Sequence, residues 1–237
     1  GDRETFVAAR ELCGQQSEDA RILGVTILGQ LGYGEGRPFA DESLPIVTAL
    51  CRPAEPVDVV VAAIRALGLL GRHGGAPAVL SHAGDPDEDV RLAVAQSVAG
   101  IAGDAPGDDV LTTLFALMAD TSAEVRGWAT FCLGSQLDVD GTAVREALLA
   151  RIGDPEGEAS GEALVGLARR ADGRAAELVA ARLHEPLDPL VVEAAARTAE
   201  PGLLPLLRAL RASGAEGDEG WLDVAIDACE GKPLREP

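Results

Sequence analysis

Apolar residues recur along the chain at helical spacing, and one arrangement of them returns seven times. The segments 21–29, 60–68, 126–134 and 160–168 each hold a small residue three positions after their first: Gly24, Ala63, Ala129 and Ala163. Each then has leucine seven positions after the first (Leu28, Leu67, Leu133, Leu167) and Gly29, Gly68, Gly134 or Ala168 eight positions after it. Segment 91–99 keeps the columns with Val94 and Val98. Segments 191–199 and 222–230 follow them more loosely, through Ala194 and Ala225. The first positions, 21, 60, 91, 126, 160, 191 and 222, are separated by 39, 31, 35, 34, 31 and 31 residues.

Polar residues punctuate the same period. Ser17-Glu18-Asp19, Asp85-Pro86-Asp87-Glu88-Asp89, Asp120-Thr121-Ser122 and Asp154-Pro155-Glu156 precede the apolar columns. Short oxygen-bearing side chains there accept hydrogen bonds from free helix N–H groups, and their charge complements the helix dipole. Gly29, Gly68 and Gly134 are expected to end these first helices, as glycine tolerates the left-handed cap. A second apolar stretch follows each first one, over 43–50, 76–83, 110–118, 144–152, 175–183 and 203–210. Val110, Leu111, Leu114, Leu117 and Met118 form a helical stripe there. Pro45, Pro77 and Pro205 are expected in or near first turns, where a missing N–H costs little.

The pattern therefore predicts an all-α chain of about six helix pairs, with the first helix of each pair termed A and the second B. The pairs start near 17, 56, 87, 122, 156 and 187. A helix over 4–12 opens the array, and a half-repeat over 218–230 with a tail over 231–237 closes it. The whole of 1–237 is read as one domain. The 39-residue first spacing marks an insertion, Gly32-Tyr33-Gly34-Glu35-Gly36-Arg37-Pro38-Phe39. A second flexible stretch is expected over 212–220, and disorder after Glu230.

The period is too long for leucine-rich repeats, and the Trp, Gly-Tyr and Pro positions of tetratricopeptide repeats are not met. Acidic caps, then Val90-Arg91 or Val125-Arg126, then the small and leucine columns, resemble the D-P-x-x-x-V-R-x-x-A-x-x-x-L-G pattern of short bacterial HEAT repeats. Phycobilisome lyases carry repeats of this type. The resemblance spans roughly 17–230 and implies a HEAT-like α-solenoid; it does not imply a reaction.

Composition changes the picture in two respects. Aromatics are only 3% of the 237 residues, so the core must be built from Ala, Leu, Val and Ile. The formal charge is 20 − 39 = −19. That field opposes nucleic-acid binding and favours a basic partner. Lys232 is the single lysine, and GC-rich coding would also give a chain rich in Ala, Gly, Arg and Asp. No apolar run is long enough to span a bilayer and no signal peptide is apparent, so a cytoplasmic setting is expected.

Candidate chemistry is sparse. Gly32-x-Gly34-x-Gly36 has no preceding strand and no following lysine, so it reads as a loop and not a phosphate cradle. Asp138-Val139-Asp140-Gly141 would need glycine at Ala143 and glutamate at Leu149 to be a calcium loop. The run Asp85, Asp87, Asp89 fails in the same way at Val90 and Gln96. Cys13, Cys51, Cys132 and Cys229 form no C-x-x-C pair, and His73, His82 and His184 are scattered, so no metal site or disulfide framework is expected. Catalytic residues and cofactors are expected to be none. Trp128 and Arg126 of the fourth copy, Glu162, Arg169 and Arg170 of the fifth, and Tyr33 of the insertion are the candidate partner-binding residues, because Trp and Arg dominate binding hot spots. Packing is the alternative for Trp128, and a hydrogen-bonded ladder for Arg126.

The expected function is a non-enzymatic scaffold that binds a basic protein or peptide on the concave face of the solenoid, lined mainly by B helices. An inhibitor or immunity protein covering a basic enzyme site is a second reading. A bilin-lyase-like enzyme is a third, by analogy of fold.

Overall fold

The computed structural model describes residues 2–33, 36–103, 105–184, 186–214 and 220–235. These hold fourteen α-helices and no strand. The order begins α1 (Arg3–Cys13), α2 (Glu18–Gln30), α3 (Ala40–Leu50), α4 (Val57–Leu70), α5 (Ala76–Leu80), α6 (Glu88–Ala102), α7 (Asp108–Leu117) and α8 (Ala123–Phe131). It continues with α9 (Thr142–Leu149), α10 (Gly157–Arg169), α11 (Ala175–Ala180), α12 (Pro189–Thr198), α13 (Leu204–Ser213) and α14 (Trp221–Cys229). The chain divides into two compact units, Gly1–Cys132 and Leu133–Pro237.

Helices alternate in role. In the first unit the A helices α2, α4, α6 and α8 pack side by side after α1, and in the second α10, α12 and α14 do the same. B helices pack on the A helix of their own pair or the next. The repeated columns supply the buried faces. Leu28, Ala63, Leu67, Val94, Val98 and Ala129 are fully enclosed in the first unit, and Ala163, Leu167, Ala194 and Ala225 in the second. Side chains cap four of the A helices, whereas α10, after Glu156, and α4, after Pro56, start without a side-chain cap. Ser17 accepts from the N–H of Ala20, Asp87 from Asp89, Ser122 from Val125 and Asp188 from Leu190.

The glycines that follow the leucine column do something other than end helices. Gly29 and Gly68 lie inside α2 and α4, and neither has a positive φ. A Cβ on Gly29 would sit 2.8 Å from the Cα of Ala66, and one on Gly68 would sit 2.8 Å from the Cβ of Ser97. Their role is to let neighbouring A helices touch backbone to backbone. The left-handed cap of α4 falls three residues later, at Gly71 with φ 62°. Gly134 lies within a π-helical turn, Cys132–Gln136, and faces the backbone of α10.

Other boundaries differ locally. Pro77 and Pro205 take first-turn positions, but α3 starts early enough to place Pro45 inside the helix. The insertion is anchored where it rejoins α3: Phe39 stacks on Phe6 at 5.3 Å, with the Arg3 guanidinium 5.3 Å from each ring. Positions 34 and 35 of the insertion, and 215–219 of the second stretch, lie outside the described residues. In the tail, Lys232 folds back to pair with Asp227 at 2.6 Å and Glu230 at 3.0 Å, residues 233–235 are exposed and outside any helix, and positions 236 and 237 lie outside the described residues.

One chemical change should have opposite effects at two of these glycines. Gly29→Ala drives a methyl into the Ala66 backbone and should destabilise by about 1–3 kcal/mol. Gly127→Ala meets nothing within 4 Å in the middle of α8 and should stabilise by about 0.5–1 kcal/mol. Urea unfolding of the two variants measures both.

Candidate functional site

The arginine that opens a repeat column folds back on the loop before its own helix. Arg91 Nη1 donates to the carbonyls of Asp85 and Pro86 at 2.9 and 3.2 Å. Its Nε and Nη2 grip the Asp120 carboxylate at 2.7 and 3.0 Å, in the loop ahead of the next A helix. Arg126 repeats the first half of this arrangement, donating to the carbonyls of Asp120 and Thr121 at 3.0 and 3.2 Å. Arg21 reaches Glu55 of the following loop at 3.5 Å. The Arg91 guanidinium holds the Asp120 carboxyl below the usual carboxylate range. Arg126 thus organises a loop, and its two carbonyl bonds place its guanidinium along the protein's own backbone.

Trp128, on the same helix, is 37% exposed and meets Phe131 edge to face at 5.7 Å. Tyr33 is 64% exposed, with Arg37 stacked 5.0 Å from its ring centroid. The first unit also carries an open groove of about 470 Å³ between α2 and α4. Its floor is Ile22, Val61, Ala66 and Leu69, and its polar edges are Thr26, Gln30, Asp58 and Arg65. Leu23, one residue along α2 from Ile22, is 52% exposed. The groove lies entirely between A helices. It exists because the helices touch at Gly29 and Ala66 while their outward residues diverge.

In the second unit the π turn organises a compact polar node. An extra residue in that turn breaks the regular carbonyl ladder. The freed carbonyls of Leu133, Gly134 and Leu137 accept from Arg170 at 2.6, 3.0 and 3.1 Å. Val139 and Gly166 add two more, both at 2.8 Å. Five carbonyls surround one half-buried guanidinium, so Arg170 fastens α10 to the turn. Gly166 faces Gly134 so closely that a Cβ on it would lie 2.7 Å from the Gly134 Cα. Ser135, presented by the same turn, donates to Glu162 Oε2 at 2.8 Å. Burial pushes the Glu162 carboxyl up to about 7; the Ser135 bond opposes the shift, and the charges of Glu193 and Glu158 add to it.

Arg169 and Arg170 share a cleft of about 450 Å³ with Arg197, Asp138, Leu137 and Leu234. Arg169 is exposed. Arg197 is held by Glu193 Oε1 at 2.7 Å and lies 5.6 Å from the Trp221 ring centroid. The structure thus joins two of the residues singled out in the sequence, Arg169 and Arg170. Glu162 lies in the node beside them, and Trp128, Arg126 and Tyr33 are in the other unit. Arg197 and the α2–α4 groove carried no sequence signal. Glu193-x-x-x-Arg197 is ordinary i,i+4 spacing, and the groove residues are the outward half of an amphipathic pattern.

His82 is buried with Nδ1 3.3 Å from Asp85. The four cysteines are free and buried, and burial pushes the thiols of Cys51 and Cys132 up to about 12. Such thiols are poor nucleophiles. Among the described residues no group of three or more His, Cys, Asp or Glu is placed to hold a metal ion, and no helix is long and apolar enough to cross a membrane.

Helix pairs stacked through a small-residue column, with loops tied by arginines, define an α-solenoid of HEAT-like repeats. Residues 44–134 match the family model of HEAT repeats. The fold is similar to YibA of Escherichia coli, at 23% identity and TM-score 0.71 over 97% of this chain and 82% of that one. It is also similar to the CpcE–CpcF complex of phycocyanin lyase from Nostoc sp. PCC7120, at 15% identity and TM-score 0.58 over 100% and 91%. A designed armadillo repeat protein in complex with the peptide (KR)4 gives 18% identity and TM-score 0.56 over 95% and 99%. No curated protein matches the chain in sequence.

The node makes two predictions. Arg170→Met strands five carbonyls and should cost about 3 kcal/mol or more in thermal or urea unfolding. Arg170→Lys should recover little of that, because an ammonium offers three donors. For Glu162 the folded pKa of about 7 lies above the ordinary 4.5, so the folded state holds the proton more tightly. Its contribution to stability is therefore most favourable below about pH 4.5, falls as pH rises to about 7, and then levels. Glu162→Gln should remove that slope and exceed the parent in stability at about pH 8, by up to roughly 3 kcal/mol. Urea unfolding across that pH range reads both effects.

Proposed function

We propose that the protein is a non-catalytic scaffold that binds an extended basic segment of another protein along the α2–α4 groove. The observation that carries this reading is an open groove with an apolar floor and, at its edge, the carboxylate of Asp58, which has no ion pair among the described residues. Asp58 lines the groove, and Glu18 and Asp19 stand in the first turn of α2. None of the three is ion-paired among the described residues. Ile22, Val61 and Leu69 offer apolar contact to the stems of Lys or Arg, whose heads then reach the carboxylates. Arg65, also in the groove, offers donors to the carbonyls of an extended backbone. The surplus of 39 acidic over 20 basic residues steers such a segment toward the protein. The peptide (KR)4 named with the designed armadillo protein gives a precedent for this chemistry on a similar fold.

A fluorescently labelled peptide of alternating lysine and arginine, titrated into the full chain, tests the proposal. Saturable binding that weakens with added salt is expected. Asp58→Lys should weaken it several-fold, and Leu69→Ala should weaken it by about 1 kcal/mol through lost apolar contact. Glu177→Lys makes the same charge change at an exposed position of α11 in the other unit and should leave affinity near that of the parent. Equal effects of Asp58→Lys and Glu177→Lys would reduce the binding to net charge and overturn the groove reading. Absence of saturable binding would do the same.

A further inference from the structure

The arginines of the second unit do not all have the same fate. Arg145 is neutralised by Asp140 at 2.7 Å, and Arg174 by Asp172 at 2.8 Å and Glu146 at 2.7 Å. These are the paired charges expected on an acidic surface. Arg170 has no such partner. Its five hydrogen-bond acceptors are backbone carbonyls, which satisfy its N–H groups and leave its full charge in place. Arg169 beside it is exposed and makes no ion pair among the described residues. Arg197 completes the wall; its charge is offset by Glu193 at 2.7 Å, and the Trp221 ring centroid lies 5.6 Å from its guanidinium.

The end of a helix favours cations by its dipole, and this alone could place arginine at the end of α10. Arg170 already meets that need by donating to the Gly166 carbonyl at 2.8 Å. Arg169 is surplus to it. The cleft therefore brings together two arginines without a carboxylate partner, Arg169 and Arg170, and the Glu193-paired Arg197 against one lining carboxylate, Asp138, in a chain whose net charge is −19. Its volume of about 450 Å³ falls within the roughly 300–1,000 Å³ of small-molecule sites. Leu137 and Leu234 give it apolar sides.

We infer that this cleft is a binding site for a small polyanion carrying phosphate or carboxylate groups, with Arg169 as its direct ligand. The planar guanidinium fork matches both oxyanions in bidentate fashion. Arg170 acts from behind, as a fixed positive charge that costs no reorganisation when the anion enters. The site is separate from the groove of the first unit and shares no residue with it.

Isothermal titration calorimetry of the full chain at constant ionic strength tests the inference, with pyrophosphate and citrate as probes. Saturable one-to-one binding of at least one probe is expected. Pyrophosphate alone would identify a phosphate site, citrate alone a carboxylate site, and both a site that reads charge. Arg169→Glu changes an exposed side chain without an ion pair, so the fold should hold, as circular dichroism would show. It should weaken the bound probe by roughly tenfold or more, the loss of a charge-assisted hydrogen bond. Arg10→Glu makes the same charge change on α1 and should leave affinity unchanged. No saturation by either probe, or equal losses in the two variants, would overturn the inference.

Discussion

The close approach of one A helix to the next is the constraint on which the rest depends. It is made at positions where a side chain would not fit, as between Gly29 and Ala66 or Gly134 and Gly166. Backbones that touch multiply short-range dispersion contacts, and the core can then be filled by Ala, Val and Leu with almost no aromatics. The same contact determines where the surface opens. Helices in touch along their inner faces must part along their outer faces, and the α2–α4 groove is the consequence.

Electrostatics then finish what packing begins. Arg91 and Arg126 hold the loops ahead of their own helices by carbonyl bonds, and Arg91 also pins the next loop through Asp120. In the second unit Arg170 performs the equivalent task on a broken turn. Because most arginines near loops are consumed in this way, much of the acidic excess is left exposed at helix starts. Arg169 and Arg170 are the exceptions, guanidinium groups that no carboxylate pairs among the described residues.

The helices were largely legible because burial imposes its period on sequence. Columns such as Ala63, Leu67 and Leu167 point inward in every copy, and a capping serine or aspartate has few other reasons to stand where it does. The glycines depart from the expected helix ends for a physical reason. A glycine that adopts a left-handed cap and a glycine that admits a neighbouring backbone look alike in one dimension, and only the position of the neighbour separates them. Arg170 was picked out as a candidate for contact with a partner, yet its five acceptors are its own backbone, freed by a π turn that leaves no mark in the spacing of apolar residues.

What the sequence determined by itself was periodic: an all-helical chain, the helix pairs and their capped starts, and an acidic surface. These rest on local hydrogen bonding and on which face of each helix avoids water, and both repeat within a single copy. The tertiary structure alone decided the aperiodic features: the division at Cys132, the groove between α2 and α4, and the meeting of Arg169, Arg170 and Arg197. Each depends on distances between residues of different copies, and those distances are set by how closely two backbones can approach.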